Sequence, residues 1–380
     1  MKIVHFVESY GGVSETFITQ YWKKSNIFGQ SELLTFKSTI DHSSIHVLSP
    51  VNFKRRTLLG FFGWFLSFLR RKGKWENEFL HHLERIRPAI IHVHFGSTLI
   101  HLANLIEKGY IQIPIVVSFY GYDISGLLKK DLVYATKLSE MLSLSSVFAF
   151  GEGPELCKKI ISNGGVPSRV FVNPLVVKAK VVTVNSNSRN VPIKFLMIGR
   201  FTEKKGFHLV LKALGKLKSS IPPFTVTIIG FGGLGEKYRG IIDQYELNSF
   251  VVFLGKQSHE EVLQALGTHD FFIHPSLTAQ NGDSEGGAPT IIIEAQAAGI
   301  PVIASNHADI PFVMGYHDFL GEEGDLDDLI RCIKTAINCD SLSMLVEKGK
   351  THVSFQHDFM KSNRYESNLK EIIHNFEANT

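Results

Sequence analysis

The stretch GDSEGGAPTIIIEAQAAGIPVIAS, residues 282–305, decides the fold of this chain. It predicts a loop, a helix, a turn and a strand, because Pro289 suits a first helical position, Gly299 suits a helix end, and Pro301 cannot continue a helix. The run FFIHPS (271–276) before it reads as another strand. The result is a β-loop-α-β unit whose glycine-rich loop meets a helix N-terminus, where free N–H groups and positive dipole charge suit an anion.

Two acidic residues flank this predicted anion site, Glu285 in the loop and Glu294 inside the helix. A carboxylate repels a phosphate, so we interpret both acids as acceptors of hydrogen bonds from hydroxyl groups, such as those of a sugar or a ribose. The alternative is that Glu294 is a surface helix residue and Glu285 an ordinary loop acid. Spacing alone leaves the two interpretations open.

The composition describes a globular protein with 380 residues, 44% of them hydrophobic and 20% charged, which leaves room for two domains. A net charge of +4 is too small to require nucleic acid as a partner. Cys157, Cys332 and Cys339 show neither disulfide nor metal-ligand spacing, which fits a reducing compartment. The N-terminus reads as a strand rather than a signal peptide, and no run approaches the roughly 20 apolar residues that span a bilayer. We therefore predict a cytoplasmic protein.

Strands alternate with helices along both halves of the chain, a pattern typical of parallel sheets. Residues 1–180 are expected to form one Rossmann-like α/β domain and residues 193–355 a second. The polar, Ser/Asn-rich segment 181–192 is interpreted as a linker, and residues 356–380 as a helix that crosses back to the first domain. The two domains are expected to face each other across a cleft.

Functional residues of a parallel sheet are expected beyond the carboxyl ends of its strands. In the first half these ends carry Gly11-Gly12, His94 with the following Phe-Gly, and the run Tyr120 to Asp123.

In the second half, GRFTEKKG places Arg200 at the end of the first strand and Lys205 just before a helix. A planar guanidinium and a point charge at a helix N-terminus predict a clamp for a diphosphate. The alternative, two solvated cations, is weaker because both residues lie at a strand end that faces the cleft.

The run Gly230 to Gly235 fits G-x-G-x-x-G, which alone indicates a dinucleotide dehydrogenase. We discount that function, because the motif follows the second strand of its domain and the next strand ends in Gly-Lys rather than an acid for a ribose. We interpret the run as a tight turn near the same phosphate or sugar.

No metal constellation is predicted. His92 and His94 are expected to face opposite sides of their strand, and His81-His82 are neighbours in a helix rather than four residues apart. The absence of a G-x-S-x-G or a G-x-x-x-x-G-K-[ST] motif argues against a hydrolase or a P-loop NTPase.

Residues 53–75 contain seven Lys/Arg and no acid between Lys54 and Lys74, around an apolar, aromatic middle. This segment is either a helix that lies against an anionic membrane face or a helix buried in the first domain with solvated basic ends. The sequence favours neither.

Together, GRFTEKKG, the Gly230 to Gly235 turn, FFIHPS and EGGAPTIIIEAQAAGIPVIAS resemble, in that order, the donor half of family 4 glycosyltransferases with the GT-B fold. In the first half, SETFI (14–18), HVHFG (92–96) and SFYGYDIS (118–125) look like the polysaccharide-building branch of that family. The resemblance covers nearly the whole chain, and its motifs are specific as a set.

This resemblance implies a metal-independent, retaining glycosyltransferase with a nucleotide-diphosphate sugar, UDP- or GDP-linked, as donor and no cofactor. Such an enzyme would build O-antigen, capsule or exopolysaccharide on a lipid-linked acceptor at the inner face of the membrane. The implied donor-side residues are Arg200 and Lys205 for the diphosphate, Glu294 for the ribose, Glu285 with the Gly286 and Gly287 amides for the sugar, Gly230 in the nearby turn, and Gly12 for backbone approach. Glu15, His94 and Asp123 would face the acceptor.

Two departures from the family pattern bear on catalysis. The family spaces its two glutamates by seven residues, whereas eight separate Glu285 from Glu294. The family also has His-Gly where this chain has Tyr120-Gly121. Tyrosine is a poor base near neutral pH, so Tyr120 would serve as an orienting hydrogen-bond donor, or His94 would have to supply a base.

Two other functions remain open from the sequence. One is a dehydrogenase or epimerase that uses NAD or a nucleotide sugar, and the other is a catalytically silent scaffold, which the Tyr120 departure would allow. The retained Arg200, Lys205 and both acids argue against a scaffold, because a scaffold needs no phosphate clamp.

Overall fold

The computed structural model describes residues 1–11, 16–48, 74–177 and 191–378. Gly12, Glu15, nearly all of the basic segment 53–75 and most of the linker 181–192 lie outside these ranges, so their interpretations stay predictions.

The first half of the chain forms a seven-stranded parallel sheet. Its strands are β1 (Lys2–Tyr10), β2 (Gln30–Ser38), β3 (Ile45–Val47), β4 (Ile90–His94), β5 (Ile115–Ser118), β6 (Val147–Gly151) and β7 (Val170–Val172), in the order β3-β2-β1-β4-β5-β6-β7. Its helices are α1 (Thr16–Phe28), α2 (Lys74–Ile86), α3 (Gly96–His101), α4 (Ala103–Glu107), α5 (Gly126–Lys130), α6 (Leu132–Ser143) and α7 (Pro154–Ser162). Every residue of β4, β5 and β6 is buried, as expected for parallel strands covered on both faces.

The second half forms a six-stranded parallel sheet. Its strands are β8 (Ile193–Ile198), β9 (Phe224–Ile229), β10 (Val251–Gly255), β11 (Phe271–His274), β12 (Val302–Asn306) and β13 (Leu320–Glu322), in the order β10-β9-β8-β11-β12-β13. Its helices are α8 (Phe207–Leu217), α9 (Gly235–Gln244), α10 (His259–Thr268), α11 (Thr290–Ala298), α12 (Ile310–Val313), α13 (Leu326–Ile337) and α14 (Leu342–Gln356).

A last helix, α15 (Arg364–Glu377), packs against the first sheet. The Tyr365 hydroxyl lies 2.7 Å from Nδ1 of His92 on β4, and Asn368 donates to the Val172 carbonyl at 3.2 Å. The end of the chain therefore belongs structurally to the first half.

In each sheet the strand order reverses beside the first strand, between β1 and β4 and between β8 and β11. Such switch points open a crevice at the carboxyl ends of the strands, where open α/β sheets bind ligands. The two carboxyl edges meet at Gly121 and Gly286, where a Cβ on Gly286 would lie 1.8 Å from the Gly121 Cα. At this point the two halves approach each other through glycine backbones.

None of the helices in the described ranges combines the length and apolar character that a membrane crossing requires.

Candidate functional site

A pocket of about 360 Å³ lies between the two carboxyl edges. Its wall is formed by Phe17, Tyr120, Glu152, Leu175, Ile198, Gly199, Arg200, Lys205, His259, Glu285, Gly286, Gly287, Ala288, Pro289, Thr290, Ile291 and Glu294. The structure thus brings together seven of the predicted site residues, namely Tyr120, Arg200, Lys205, Glu285, Gly286, Gly287 and Glu294.

Lys205 and Glu285 form an ion pair in the pocket wall, with 2.7 Å between Nζ and Oε1. The Ser276 hydroxyl donates to the same carboxylate oxygen at 3.2 Å. Burial alone would raise the pKa of Glu285, but Lys205 and then Lys204 outweigh it and lower the pKa to about 2. Glu285 is therefore ionised at any physiological pH and is a weak base.

The loop that carries Glu285 is held from behind by buried polar groups. Lys204 donates to the Asp283 carboxylate at 3.0 Å and to the Ser284 carbonyl at 3.1 Å. The Glu285 amide donates to Nε2 of His307, whose Nδ1 lies 2.8 Å from the Glu323 carboxylate. These contacts fix the loop backbone at the N-terminus of α11.

Arg200 differs from Lys205 in having its side chain exposed at the pocket wall. Within the described ranges no hydrogen bond or ion pair engages its guanidinium. The N–H donors of the Arg200 guanidinium are therefore available to a ligand in the pocket. The Lys205 ammonium group also faces the pocket but is paired with Glu285.

Gly286 and Gly287 allow the two halves to approach closely. A Cβ on Gly287 would lie 2.0 Å from Oε2 of Glu152, so any side chain there would displace that carboxyl group. Gly230 plays a similar part away from the pocket wall, because a Cβ there would lie 1.8 Å from the Gly199 carbonyl oxygen. The turn at Gly230 thus supports Gly199, which lines the pocket.

Glu294 projects from α11 towards His259 at the start of α10, with 2.8 Å between Oε1 and Nε2. Glu294 is largely buried, with 16% of its side chain exposed, whereas His259 is 59% exposed. Both line one end of the pocket, where the carboxylate can accept from a ligand hydroxyl.

A chain of hydrogen bonds runs from the buried core to Tyr120. Ser25 donates its proton to the Trp22 carbonyl, and its oxygen lies 2.9 Å from Nε2 of His5. Nδ1 of His5 lies 3.0 Å from Nε2 of His94, whose Nδ1 lies 2.7 Å from the Tyr120 hydroxyl.

The direction of this chain follows from its buried end. Burial lowers the pKa of His5 to about 3, and burial and then His5 lower the pKa of His94 well below its usual value, so both rings are neutral. We assign the chain from this end: with the Ser25 proton on the Trp22 carbonyl, His5 donates to Ser25, His94 to His5, and Tyr120 to His94. In this assignment Tyr120 has a lone pair for a ligand in the pocket, whereas the sequence predicted an orienting donor, and its role towards a substrate stays a prediction.

His92 and His94 share one face of β4, so the expectation that they point to opposite sides is wrong. Their ring centroids are 4.3 Å apart, because residues two apart in a strand project on the same side. His94 is fully buried and does not line the pocket, which it reaches only through Tyr120.

Two groups of side chains have metal-ligand spacing that the sequence reasoning overlooked: His5 with His92 and His94, and Glu32 with His46 and His82. In the first group every ring nitrogen already has a hydrogen-bond partner. In the second, the Arg85 guanidinium lies within 3.4 Å of all three side chains and opposes a cation. Neither group adjoins the pocket.

Asp123 holds the backbone of the loop between β5 and α5, and its predicted contact with an acceptor stays a prediction. Its buried carboxylate accepts from the amides of Gly96 at 2.9 Å, Gly121 at 3.1 Å and Tyr120 at 3.3 Å. Burial raises its pKa to about 6 despite these bonds. Asp123 thus shapes the loop that carries Tyr120 and does not reach the pocket wall.

Among the ionisable side chains of the pocket wall, sequence reasoning missed two, Glu152 and His259. Glu152 follows the carboxyl end of β6, so the rule that pointed to His94 and Tyr120 applied to it as well. His259 gave no such signal, because it directly follows the capping residue Ser258 and reads as an ordinary helix residue.

Three comparisons with known proteins bear on this geometry. Residues 183–352 match the family described as glycosyl transferases group 1. The colanic acid biosynthesis glycosyltransferase WcaL of Escherichia coli K12 is 30% identical over 288 residues, which are 72% of this chain and 67% of that protein. The lipopolysaccharide outer core galactosyltransferase WaaB superposes with a TM-score of 0.71 at 19% identity, over 98% of this chain and 99% of that one. Anabaena HepE in complex with UDP-glucose superposes with a TM-score of 0.71 at 16% identity, over 100% of both chains.

Two parallel sheets that meet at their carboxyl edges around a pocket, as in these structural neighbours, have the GT-B fold. That confirms the fold class expected from the sequence. Within this class the chain belongs to the group 1 glycosyltransferases, the family whose motifs it resembles.

Proposed function

We propose that this chain is a retaining glycosyltransferase that moves a sugar from a UDP- or GDP-linked donor to a lipid-linked glycan. One observation carries the proposal: Arg200, Lys205 and the N-terminus of α11 converge on one pocket wall, with the acids Glu285 and Glu294 beside them. Two cations and free amides suit a diphosphate, and carboxylates suit the hydroxyl groups on either side of it.

In this proposal Arg200 and Lys205 hold the diphosphate and stabilise the negative charge that grows on it as it leaves. Charge stabilisation of this kind is commonly the largest contribution to catalysis. Because two side-chain cations supply it, the proposed reaction requires no metal ion. Glu294 would bind the ribose, and Glu285 with the amides of Gly286 and Gly287 would orient the donor sugar.

The proposed chemistry is attack from the face that the leaving group occupies. The acceptor oxygen bonds to the anomeric carbon, the bond from that carbon to the phosphate oxygen breaks, and the acceptor proton passes to the departing phosphate. Two features support this route over a side-chain base. Glu285 is strongly ionised and paired with Lys205, and the Tyr120 proton is directed to His94. Tyr120 would accept a hydrogen bond from a substrate hydroxyl.

We further propose that the product is an exopolysaccharide or a related surface glycan. The E. coli relative is named for colanic acid biosynthesis, and WaaB for the lipopolysaccharide outer core. A lipid-linked acceptor would place the enzyme at the inner face of the membrane, with residues 53–75 as the basic, aromatic contact. Gly12 and Glu15 would face the donor phosphate and the acceptor respectively. An NAD-dependent function is not favoured for a member of this family.

A transfer assay tests the proposal. The purified protein is incubated with UDP- and GDP-sugars and a bacterial lipid extract, and release of nucleoside diphosphate is measured with the anomeric configuration of the product. We expect release from one donor class, a product with the configuration of the donor, and a loss of about 100-fold or more in Arg200→Ala. Arg239→Ala, on α9 outside the pocket, is the matched control. An inverted product, or equal rates in both variants, would contradict it.

A further inference from the structure

Glu152 occupies a position in the pocket that nothing above explains. It follows β6, lines the pocket beside Tyr120, and is 9% exposed. Its Oε2 lies against Gly287, the residue whose missing side chain leaves room for it. A carboxyl group is thus held between the first domain and the donor loop of the second.

The carboxyl of Glu152 has no hydrogen-bond or ion-pair partner among the residues that the structure describes. Its acidic neighbours are all satisfied: Asp123 accepts from three amides, Asp309 from two, and Glu285 from Ser276 and Lys205. The carboxyl group lines the pocket without a protein partner, so it is available to hydrogen-bond a ligand there.

The charges around Glu152 define the chemistry of that ligand. Burial, and then Asp309, Asp123 and Glu285, raise the pKa of Glu152 well above its usual value. Glu152 in turn contributes to raising the pKa of Tyr21 and of Tyr120. A protonated carboxyl offers one donor and one acceptor and carries no charge. It lacks the negative charge that binds a metal ion, and its donor and acceptor together match a sugar hydroxyl, which also donates and accepts.

We propose that Glu152 hydrogen-bonds a sugar hydroxyl at the inner end of the pocket and thereby selects which sugar is used. The inference rests on the proposed function, and the hydroxyl belongs to the donor sugar or to the acceptor sugar. Glu152 is a specificity residue in this role, and it neither takes nor gives a proton in the reaction.

The test compares Glu152→Ala and Glu152→Gln by calorimetry and steady-state kinetics. Glu155→Ala is the matched control, because Glu155 is an exposed acid of α7 paired with Lys158. If the donor sugar is bound, Glu152→Ala weakens binding of the nucleotide sugar about tenfold while binding of the free nucleoside diphosphate stays within twofold. If Glu152 instead binds the acceptor sugar, Glu152→Ala raises only the KM for the acceptor, by about tenfold. In both cases Glu152→Gln, which keeps a donor and an acceptor, stays within about threefold of wild type.

Deoxy analogues identify the hydroxyl and keep the test independent of folding losses. Wild type should bind the analogue that lacks the recognised hydroxyl about tenfold more weakly than the intact substrate. Glu152→Ala should bind the analogue and the intact substrate equally. Unchanged KM values and selectivity in a folded Glu152→Ala would overturn the inference. A Glu152→Gln as inactive as Glu152→Ala, with both KM values unchanged, would also overturn it, because the group would then transfer a proton. Failure of every form to bind a nucleoside diphosphate would instead reject the proposed function.

Discussion

Lys205 and Glu285 stabilise the folded state as a pair, because each side chain carries a buried charge that the opposite charge of its partner offsets. We expect Lys205→Met to cost about 3–5 kcal/mol in free energy of unfolding, since it leaves the Glu285 carboxylate uncompensated. The double variant with Glu285→Gln removes both charges and should recover most of that loss without recovering transferase activity. Urea unfolding of the four forms measures this coupling. Additive losses would contradict it.

The same pair predicts a dependence of stability on pH. The pKa of Glu285 is lowered from 4.5 to about 2 in the folded state, so its stabilising contribution is present above pH 4.5 and is lost as the pH falls towards 2. Glu285→Gln should remove this part of the acid dependence. The measurement is the melting temperature between pH 6 and 3 for both proteins, and parallel curves would count against the ion pair.

Tyr120 stands where the resemblance to the family implies a histidine, and the assigned direction of its hydrogen bond limits its chemical role. Its proton goes to His94, so Tyr120→Phe removes an acceptor from the pocket and a donor from His94. We expect kcat to fall about tenfold or less, with a stability loss of about 1–3 kcal/mol from the unsatisfied His94 nitrogen. A fall of about 100-fold or more would indicate that a proton does travel through Tyr120 and His94.

Local sequence motifs predicted four of the charged side chains in the pocket wall, whereas the three-dimensional relations between side chains were out of reach. Arg200, Lys205, Glu285 and Glu294 follow from local motifs and meet as expected. The direction of the Tyr120 hydrogen bond depends on Ser25 and His5, which lie on other elements and have no local signature. The local sequence likewise cannot show that the Asp123 carboxylate accepts its hydrogen bonds from backbone amides.

At the scale of elements, a residue of the second domain caps a helix of the first. The Asp309 carboxylate accepts from the amides of Glu155 and Leu156 at 2.8 and 3.0 Å, at the N-terminus of α7. A side-chain oxygen at this position satisfies amides that the helix itself leaves free. This cap therefore holds the two halves together beside the pocket.

We expect Asp309→Ala to favour an open arrangement and to weaken binding of the nucleoside diphosphate about three- to tenfold, because about 0.5–2 kcal/mol of capping is lost from the closed form. X-ray scattering and calorimetry measure both effects. Asp325→Ala is the matched control, since Asp325 caps α13 within its own domain through the amides of Asp327 and Asp328. Equal effects of the two substitutions on binding would show that Asp309 does not couple the domains.

The helices and strands themselves follow closely from the sequence because each has local signals. The capping box of Ser258 and Glu261 starts α10, and Gly299 ends α11 as predicted. Pro289 lies one position before the first residue of α11, whereas the sequence predicted it at the first helical position. Sequence signals do not define helix ends to a single residue. The cap from Asp309 joins residues 154 positions apart, and no local pattern reports such a contact.

At the scale of the whole molecule, α15 ties the end of the chain to the first sheet. Tyr365 lies against Tyr21, with ring centroids 4.9 Å apart, and its hydroxyl contacts the buried His92. Tyr365→Phe leaves a buried ring nitrogen without that partner, which costs about 1–3 kcal/mol. We expect a lower melting temperature, by about 2–4 °C per kcal/mol, and unchanged nucleotide binding. Tyr110 is 59% exposed, so the control Tyr110→Phe should change neither the melting temperature nor nucleotide binding. Weaker nucleotide binding in Tyr365→Phe would contradict this separation.

The central claim is that the pocket between the two sheets binds a nucleoside diphosphate through Arg200 and Lys205. Isothermal titration of UDP and GDP into wild type, Arg200→Ala, Lys205→Ala and the control Arg239→Ala tests it most directly. We expect one nucleotide to bind wild type and the control equally, and to bind each pocket variant at least about tenfold more weakly, since each loses a charge-assisted hydrogen bond. Equal binding by all four proteins, or binding by none, would contradict the claim.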